Sequence, residues 1–372
     1  MMPKNVLGIV YSNSYDSSLS ALTARRTMGS VPFGGRYRFI DFALSNLVNC
    51  GVTKVGVVAN SNYHSLMDHV GSGRPWDLSR KTDGLFILPP FNASDTQRDS
   101  GNRIEVLNRI SDFISDSKQE YVLISDSNFI CNIDFSGLFD FYTEKNADIA
   151  IVYCKGECPK LENLMVFDVD GNGKITNVSI EPKTAGEVNY SSDIILIRKA
   201  LLERLIGDAQ SYGYSSFEKD IIQKNTEHLK IYGYEFKGKS FTVDSLNSYY
   251  NANMALLEKE NRNSLFNPDR PVFTKVRNDM PVIYGIGSKT ENSLIADGCI
   301  IDGTVKNSII FRGVRVAKGA VVENSILMQD AFVSENSKLN CVIMDKNTVI
   351  TPNKILSGDK SYPLFVGKQI VI

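Results

Sequence analysis

Four echoes near the C-terminus constrain this chain more than any other feature. Asn292-Ser-Leu-Ile returns as Asn307-Ser-Ile-Ile, Asn324-Ser-Ile-Leu and Asn340-Cys-Val-Ile, at spacings of 15, 17 and 16 residues. Between them aliphatics follow glycine, as in Gly298-Cys-Ile-Ile301, Gly313-Val-Arg-Val316 and Gly319-Ala-Val-Val322. A short period with inward aliphatics at corresponding places describes a stacked β-solenoid, because one coil cannot bury its apolar face alone. About four coils fit between residues 285 and 352.

Upstream the pattern is different. Val6–Tyr11, Val55–Ala59, Tyr121–Ile124, Ile149–Tyr153 and Ile194–Ile197 are apolar runs separated by helical stretches. Such runs are strands covered on both faces, which implies a Rossmann-like, mainly parallel α/β sheet with crossover helices. Ligands of these sheets bind beyond the carboxyl ends of the strands, so the residues after Tyr11, Ala59 and Ile124 matter most. Asp168-Val-Asp-Gly-Asn-Gly173 imitates a calcium loop but has Ser179 where the bidentate Glu belongs, so it reads as a hairpin turn. Asn267-Pro-Asp-Arg-Pro271 then breaks the chain. The expected organisation is an α/β domain over 1–250, a linker helix and loop over 251–284, and the solenoid over 285–372.

A length of 372 residues admits about two domains. The net charge of −1 argues against a nucleic-acid or membrane surface as the main partner. No apolar run approaches the roughly 20 residues a membrane helix needs, and the start is too short in apolar residues for a signal peptide. Six scattered cysteines and three histidines argue for reduced cytoplasmic thiols rather than a zinc site.

The stretch Val31-Pro-Phe-Gly-Gly-Arg-Tyr-Arg-Phe-Ile-Asp-Phe-Ala-Leu-Ser-Asn46 carries the most information about function. Pro32 and the Gly34-Gly35 pair mark a turn. Phe39, Phe42, Ala43 and Leu47 then recur at helical spacing, and the helix is expected over 36–49. By itself this is a loop-to-helix junction with Arg36 and Arg38 at its entrance. Its wording, however, resembles nearly residue for residue the VPFGG-(K/R)-(Y/F)-R-x-IDFALSN segment of ADP-glucose pyrophosphorylases, the glucose-1-phosphate adenylyltransferases. Trp76-Asp77-Leu78, Ile87-Leu88-Pro89-Pro90 and Ser248-Tyr249-Tyr250-Asn251-Ala252-Asn253-Met254 resemble further segments of that family, in order. The resemblance implies that the solenoid is a left-handed hexapeptide β-helix.

The departures fall at the chemistry. The family writes its phosphate-cradling loop GGxGxRLxxLT. This chain has Asn13-Ser-Tyr-Asp-Ser-Ser-Leu19, with Asn13, Ser14 and Asp16 for glycines and Ser18 for the arginine. Met28 stands at the lysine that precedes VPFGG. The segment GTADAVxQN is Gly101-Asn-Arg-Ile-Glu-Val-Leu-Asn-Arg109. The aspartates that hold Mg²⁺ are replaced by Asn128 and Thr242. Asp126 and Asp244, each two residues away, could rebuild a metal site only through backbone shifts, since two residues span about 6.6 Å of strand.

By resemblance, this pattern is similar to the non-catalytic GlgD-type subunit that accompanies a catalytic adenylyltransferase. No cofactor is expected for this chain, with Mg²⁺ confined to the catalytic partner in a mixed tetramer. Arg25, Arg26, Arg36 and Arg38 are candidates for an anionic effector, and Glu181 and Lys183 for a sugar phosphate. The competing expectation is an active sugar-phosphate nucleotidyltransferase with its metal moved to Asp126 and Asp244.

Overall fold

The computed structural model describes residues 5–89, 102–182 and 186–372. Val6–Tyr11 lies inside a nine-stranded sheet. Lys54–Val58 and Tyr121–Asp126 flank it in parallel, and Gly84–Leu88 continues the sheet on one side. Val6 and Val10 enter one apolar layer and Leu7, Ile9 and Tyr11 the other. That is the alternation a strand buried on both faces must show. Gly8 lets the helix Phe39–Asn49 approach, since a Cβ there would stand 2.9 Å from a Leu47 methyl.

The sheet is mainly parallel, with one correction at its centre. The run expected over Ile194–Ile197 belongs to the longer strand Glu187–Arg198, which is antiparallel to both Tyr121–Asp126 and Ile149–Glu157. A parallel neighbour needs a crossover, usually helical. Here the described residues between Ile149–Glu157 and Glu187–Arg198 hold only the hairpin Met165–Val169 and Ile175–Ile180, which returns the chain head to tail. Its turn contains the calcium-loop imitation. The Asp170 carboxylate accepts from the backbone of Asn172 and Lys174, 2.8 Å each.

The C-terminal part is a left-handed β-helix with three faces, each a parallel sheet of five strands. Five coils therefore replace the expected four. The fifth, from Val349–Ile350 through Ile355–Ser357 to Leu364–Val366, carries extra residues before its last strand, and these hide it from a search by period. The last echo is also shifted by one. Glu323 pairs with Asn340 and Ile326 with Ile343, so Cys341, not Asn340, occupies the turn held earlier by Asn292, Asn307 and Asn324. All four share a positive φ, at 40°, 46°, 47° and 52° in chain order. Asparagine reaches that region at less steric expense than most residues, which is why it recurs there.

The two parts share one core. Phe33, Phe39 and Phe42 from the turn and helix pack with Tyr249 and Leu256 from the linker, and with Ile309, Phe311, Ile326 and Met328 from the solenoid. Phe33 meets Phe39 and Phe42 edge-on at 5.8 and 5.6 Å. The linker is two helices, Leu246–Met254 and Lys259–Leu265, joined by a tight 3₁₀ turn. From the first of them, Tyr249 Oη donates to the Pro32 carbonyl at 2.8 Å and Tyr250 Oη to the Asn324 carbonyl at 2.6 Å. Among the described residues no helix is long and apolar enough to cross a membrane.

Asn307→Val tests the turn argument, because a β-branched residue at φ 46° is strained and the bond from Asn292 Nδ2 is lost. Urea unfolding should show a loss of about 2 kcal/mol. Asn307→Gly should cost less than half as much.

Candidate functional site

The carboxyl ends of the parallel strands open into a cleft of about 660 Å³. The loop after the first strand forms one wall, and its substituted residues stitch it shut. Asn13 Nδ2 donates to Asp16 at 2.7 Å and to the Ser61 carbonyl at 3.2 Å, while Asn13 Oδ1 accepts from the Asn60 backbone at 2.8 Å. The second carboxylate oxygen of Asp16 accepts from the Met28 backbone at 2.8 Å. A phosphate cradle needs free N–H groups facing the ligand. Here side chains tie the loop together. Ser18 lies in the 3₁₀ turn Ser17–Leu19, half-buried. Met28 is fully buried in the junction core with Leu22 and Phe33, where a flexible thioether packs among apolar side chains.

At the floor of the cleft sits a charge cluster. Arg103 Nη2 donates to Asp126 Oδ2 at 2.9 Å, with Asp193 at 3.8 Å and Glu218 at 3.5 Å from the same guanidinium. Each group arrives from a different element. Asp126 ends a central strand, and Arg103 opens the helix Arg103–Arg109, capped by Asn102. Asp193 is turned inward at φ 56° where the register of Glu187–Arg198 shifts, and Glu218 comes from the π-turn Phe217–Ile222. Tyr15 Oη donates to Asp193 at 2.6 Å. Burial pushes the Asp126 carboxyl up to about 7, against the pull of Arg103, and the carboxylates of Asp193 and Glu218 add to the rise. Burial raises Glu218 as well. Burial also opposes the charge of Arg103, yet the surrounding carboxylates hold its pKa well above the ordinary value. One guanidinium thus balances a crowded set of acids.

The two positions read as lost metal ligands lie side by side. Thr242 pairs with Phe129 in a short antiparallel ribbon, and Val243 N donates to the Asn128 carbonyl at 3.0 Å. Both offer only neutral oxygen and nitrogen. Asp126 is fully buried and turned to Arg103, while Asp244 accepts from Lys160 N at 2.9 Å and Ser245 Oγ at 3.0 Å. Asp126 Oδ2 is therefore already taken by Arg103, with Oδ1 buried and unpartnered among the described residues, and both oxygens of Asp244 are occupied. Among the described residues no three His, Cys, Asp or Glu side chains converge as for a metal ion. The donor set does not fit Mg²⁺, which favours carboxylates and phosphate oxygens.

The four arginines read as one cluster have separate roles. Arg26 is buried and grips both oxygens of Asp345 on the solenoid at 2.7 and 2.8 Å. Arg25 is exposed and reaches Gln369 at 3.2 Å. Arg36 is exposed over the Tyr37 ring. Arg38 donates to the Ser65 carbonyl and hydroxyl at 2.6 and 2.9 Å, and its Nε has no hydrogen-bond partner among the described residues. Beside Arg38 and Arg26 lies Lys346, whose ammonium is pushed down to about 6 by burial and then by those two cations. Glu181 accepts from the Asn163 backbone. Lys183 lies outside the described residues.

Sequence reasoning missed Arg103, Asp193, Glu218 and Lys346 as site residues. One signal was legible: Asp193 directly precedes the apolar run Ile194–Ile197, and an acid drawn into the sheet there needs a buried partner.

A nucleotidyl transferase family profile matches residues 15–259, and a GlmU-like C-terminal hexapeptide profile matches 284–362. The glycogen biosynthesis protein GlgD of Bacillus subtilis (strain 168) is 33% identical over 371 residues, covering all of this chain and 98% of that protein. The GlgD protein of Geobacillus stearothermophilus is 35% identical over the same span of 371 residues. The glucose-1-phosphate adenylyltransferase of Bacillus anthracis is 31% identical over 348 residues, 93% of each chain.

Arg103→Met should destabilise the chain by about 3–5 kcal/mol at pH 8, because it strands buried carboxylates. Protons held by carboxyls of raised pKa stabilise the fold fully below the unfolded carboxyl range, and this is lost as pH rises through about 7. Without the guanidinium those pKa values climb further. Urea titrations of mutant and parent should therefore converge near pH 5 and separate towards pH 8.

Proposed function

The chain belongs to the ADP-glucose pyrophosphorylase family of nucleotidyl transferases, which takes in glucose-1-phosphate adenylyltransferase and the glycogen biosynthesis protein GlgD, and from that premise we propose that it is a catalytically impaired, regulatory subunit. It works in glycogen biosynthesis by assembling with a catalytic adenylyltransferase chain into a mixed tetramer and changing that chain's output.

The observation that carries this reading is Arg103 bound to Asp126 at the strand ends, beside a ligand pair reduced to Asn128 and Thr242. Adenylyl transfer to glucose 1-phosphate concentrates negative charge on the phosphoryl oxygens, and rate comes from cations placed against it. Losing one such group typically costs about two decades of rate. The lysine position is a buried methionine, and the loop's Asp16 presents a carboxylate to the cleft. Six free cysteines among the described residues agree with a cytoplasmic setting.

Regulation then depends on surfaces and on the junction. Lys346 feels the charges of Arg38 and Arg26 at the junction of the α/β domain and the solenoid, and Asp41, Asp68 and Asp345 offset them in part. Arg38 Nε has no hydrogen-bond partner among the described residues, so an anion bound there would relieve the remaining repulsion. An effector acting through this place would alter how the solenoid bears on the helix Phe39–Asn49, and it needs different contacts in two states to do so.

The test is an ADP-glucose assay with ATP, glucose 1-phosphate and Mg²⁺. The expected result is negligible turnover by the chain alone and a changed rate or activator response once a catalytic chain is added. Turnover of about 1 s⁻¹ by the chain alone, abolished by Asp126→Asn, would instead support the displaced-metal enzyme. Sulfate serves as the anion probe, its charge being constant over the range used. Binding should tighten from pH 8 to pH 6, as Lys346 takes up a proton on anion binding. Lys346→Ala should flatten that dependence.

A further inference from the structure

The cleft is well formed although the groups for nucleotide chemistry are gone. Its volume of about 660 Å³ is that of a small-molecule site. The side chains of Asn13, Asn60, Asn62, Asn102 and Asn163 line it, with serine and threonine hydroxyls between them. The side chain of Asn13 is occupied by Asp16, Ser61 and the Asn60 backbone, but the side chains of Asn60 and Asn163 make no hydrogen bond to the described residues. Arg103 is the one basic residue among the described lining residues, against the acids Asp16, Glu162 and Glu218. Its charge is already balanced by three carboxylates. A polyphosphate entering here would meet no free positive charge among the described residues and at least two carboxylates. A neutral molecule would meet amides and hydroxyls, each able to donate and accept.

A second observation points to an occupant. Tyr11 closes the first strand at the cleft and is 6% exposed, yet its buried hydroxyl has no hydrogen-bond partner among the described residues. Arg103 Nη1 is buried and unpartnered in the same way, and the guanidinium lies 5.3 Å over the Tyr11 ring. Asp126 Oδ1 is a third such atom, and buried polar atoms without partners cost stability, so three together beneath one cleft are worth explaining by a ligand. We propose that this cleft binds a neutral, polyhydroxylated ligand, a saccharide of one or two hexose units, with Tyr11 and Arg103 beneath it and the free amides of Asn60 and Asn163 at its sides. The inference rests on the reading that adenylyl transfer has been lost here, and it adds what the vacated chemistry leaves room to recognise.

Calorimetric titration of the full chain with maltose, glucose, adenosine, ATP and glucose 1-phosphate tests this. Saturable binding of maltose or glucose is expected, with ATP and glucose 1-phosphate at least tenfold weaker. Tyr11→Phe removes a hydroxyl that no described protein group holds, so its melting temperature should be unchanged or higher, while sugar affinity falls about five- to tenfold. Absence of saturable sugar binding, tighter binding of ATP or adenosine than of sugar, or a Tyr11→Phe variant that binds sugar normally would each overturn the proposal. The two readings fail separately. Ordinary ADP-glucose turnover by the chain alone would sink the regulatory assignment, whereas a silent chain that ignores sugars would sink only this one.

Discussion

Everything in this molecule is held in register by the apolar junction around Phe33. Three phenylalanines from one turn and helix, two helices of the linker and one face of the solenoid exclude water together. None of these parts could bury its face alone, and the Arg26–Asp345 pair sits beside the seam as a buried, two-pronged tie. Replacing either partner would leave a stranded charge, so the tie specifies the docking angle as much as it strengthens it. The positive φ of Gly34 and Gly35, at 60° and 85°, lets the chain reverse tightly enough for Phe33 and Phe39 to meet. The wording of this stretch therefore has a mechanical cause: it is the hinge plate between two architectures.

The electrostatics of the cleft follow from topology in the same way. Strand ends in a parallel sheet gather polar groups at one rim, whatever their purpose. In this chain the rim collects Asp126, Asp193 and Glu218, and the fold answers with Arg103 from the neighbouring helix. A guanidinium is permanently charged, rigid and several-pronged, so it faces several carboxylates at once, although Arg103 Nη1 and Asp126 Oδ1 stay unpartnered among the described residues. A site that must load and release a cation cannot carry its own fixed counter-ion. The cluster thus fixes one guanidinium at the strand ends, where it is the counter-charge to three carboxylates.

Strand periodicity, the solenoid and the junction stretch were legible because each rests on a local rule. A continuous apolar run made Val6–Tyr11 readable as a strand covered on both faces, to the residue. The asparagine echo was readable as a repeat, and the structure supplies its cause, since steric limits on φ select so few residues for the turn. The same rule misled at the last coil, where Cys341 takes the turn at φ 52° and Asn340 beside it imitates the motif. The fifth coil was missed because its added residues break the spacing. The four arginines looked like one patch on paper, yet Arg26 is buried against the solenoid while Arg25 and Arg36 are exposed.

What the chain's letters determined alone was local and repetitive: strand faces, the stacked coils, and the uncharged side chains of Ser18, Met28, Asn128 and Thr242. These depend on each residue and its near neighbours. Tertiary structure decided everything that needed a distance between remote parts. It set Arg103 against Asp126 and Lys346 beside Arg38, ran Glu187–Arg198 backwards, and left the Tyr11 hydroxyl unpaired among the described residues under the cleft. The physical reason is the range of the forces involved. Backbone sterics and apolar periodicity act within a few residues, whereas charge compensation acts through space and waits for the fold to choose its neighbours.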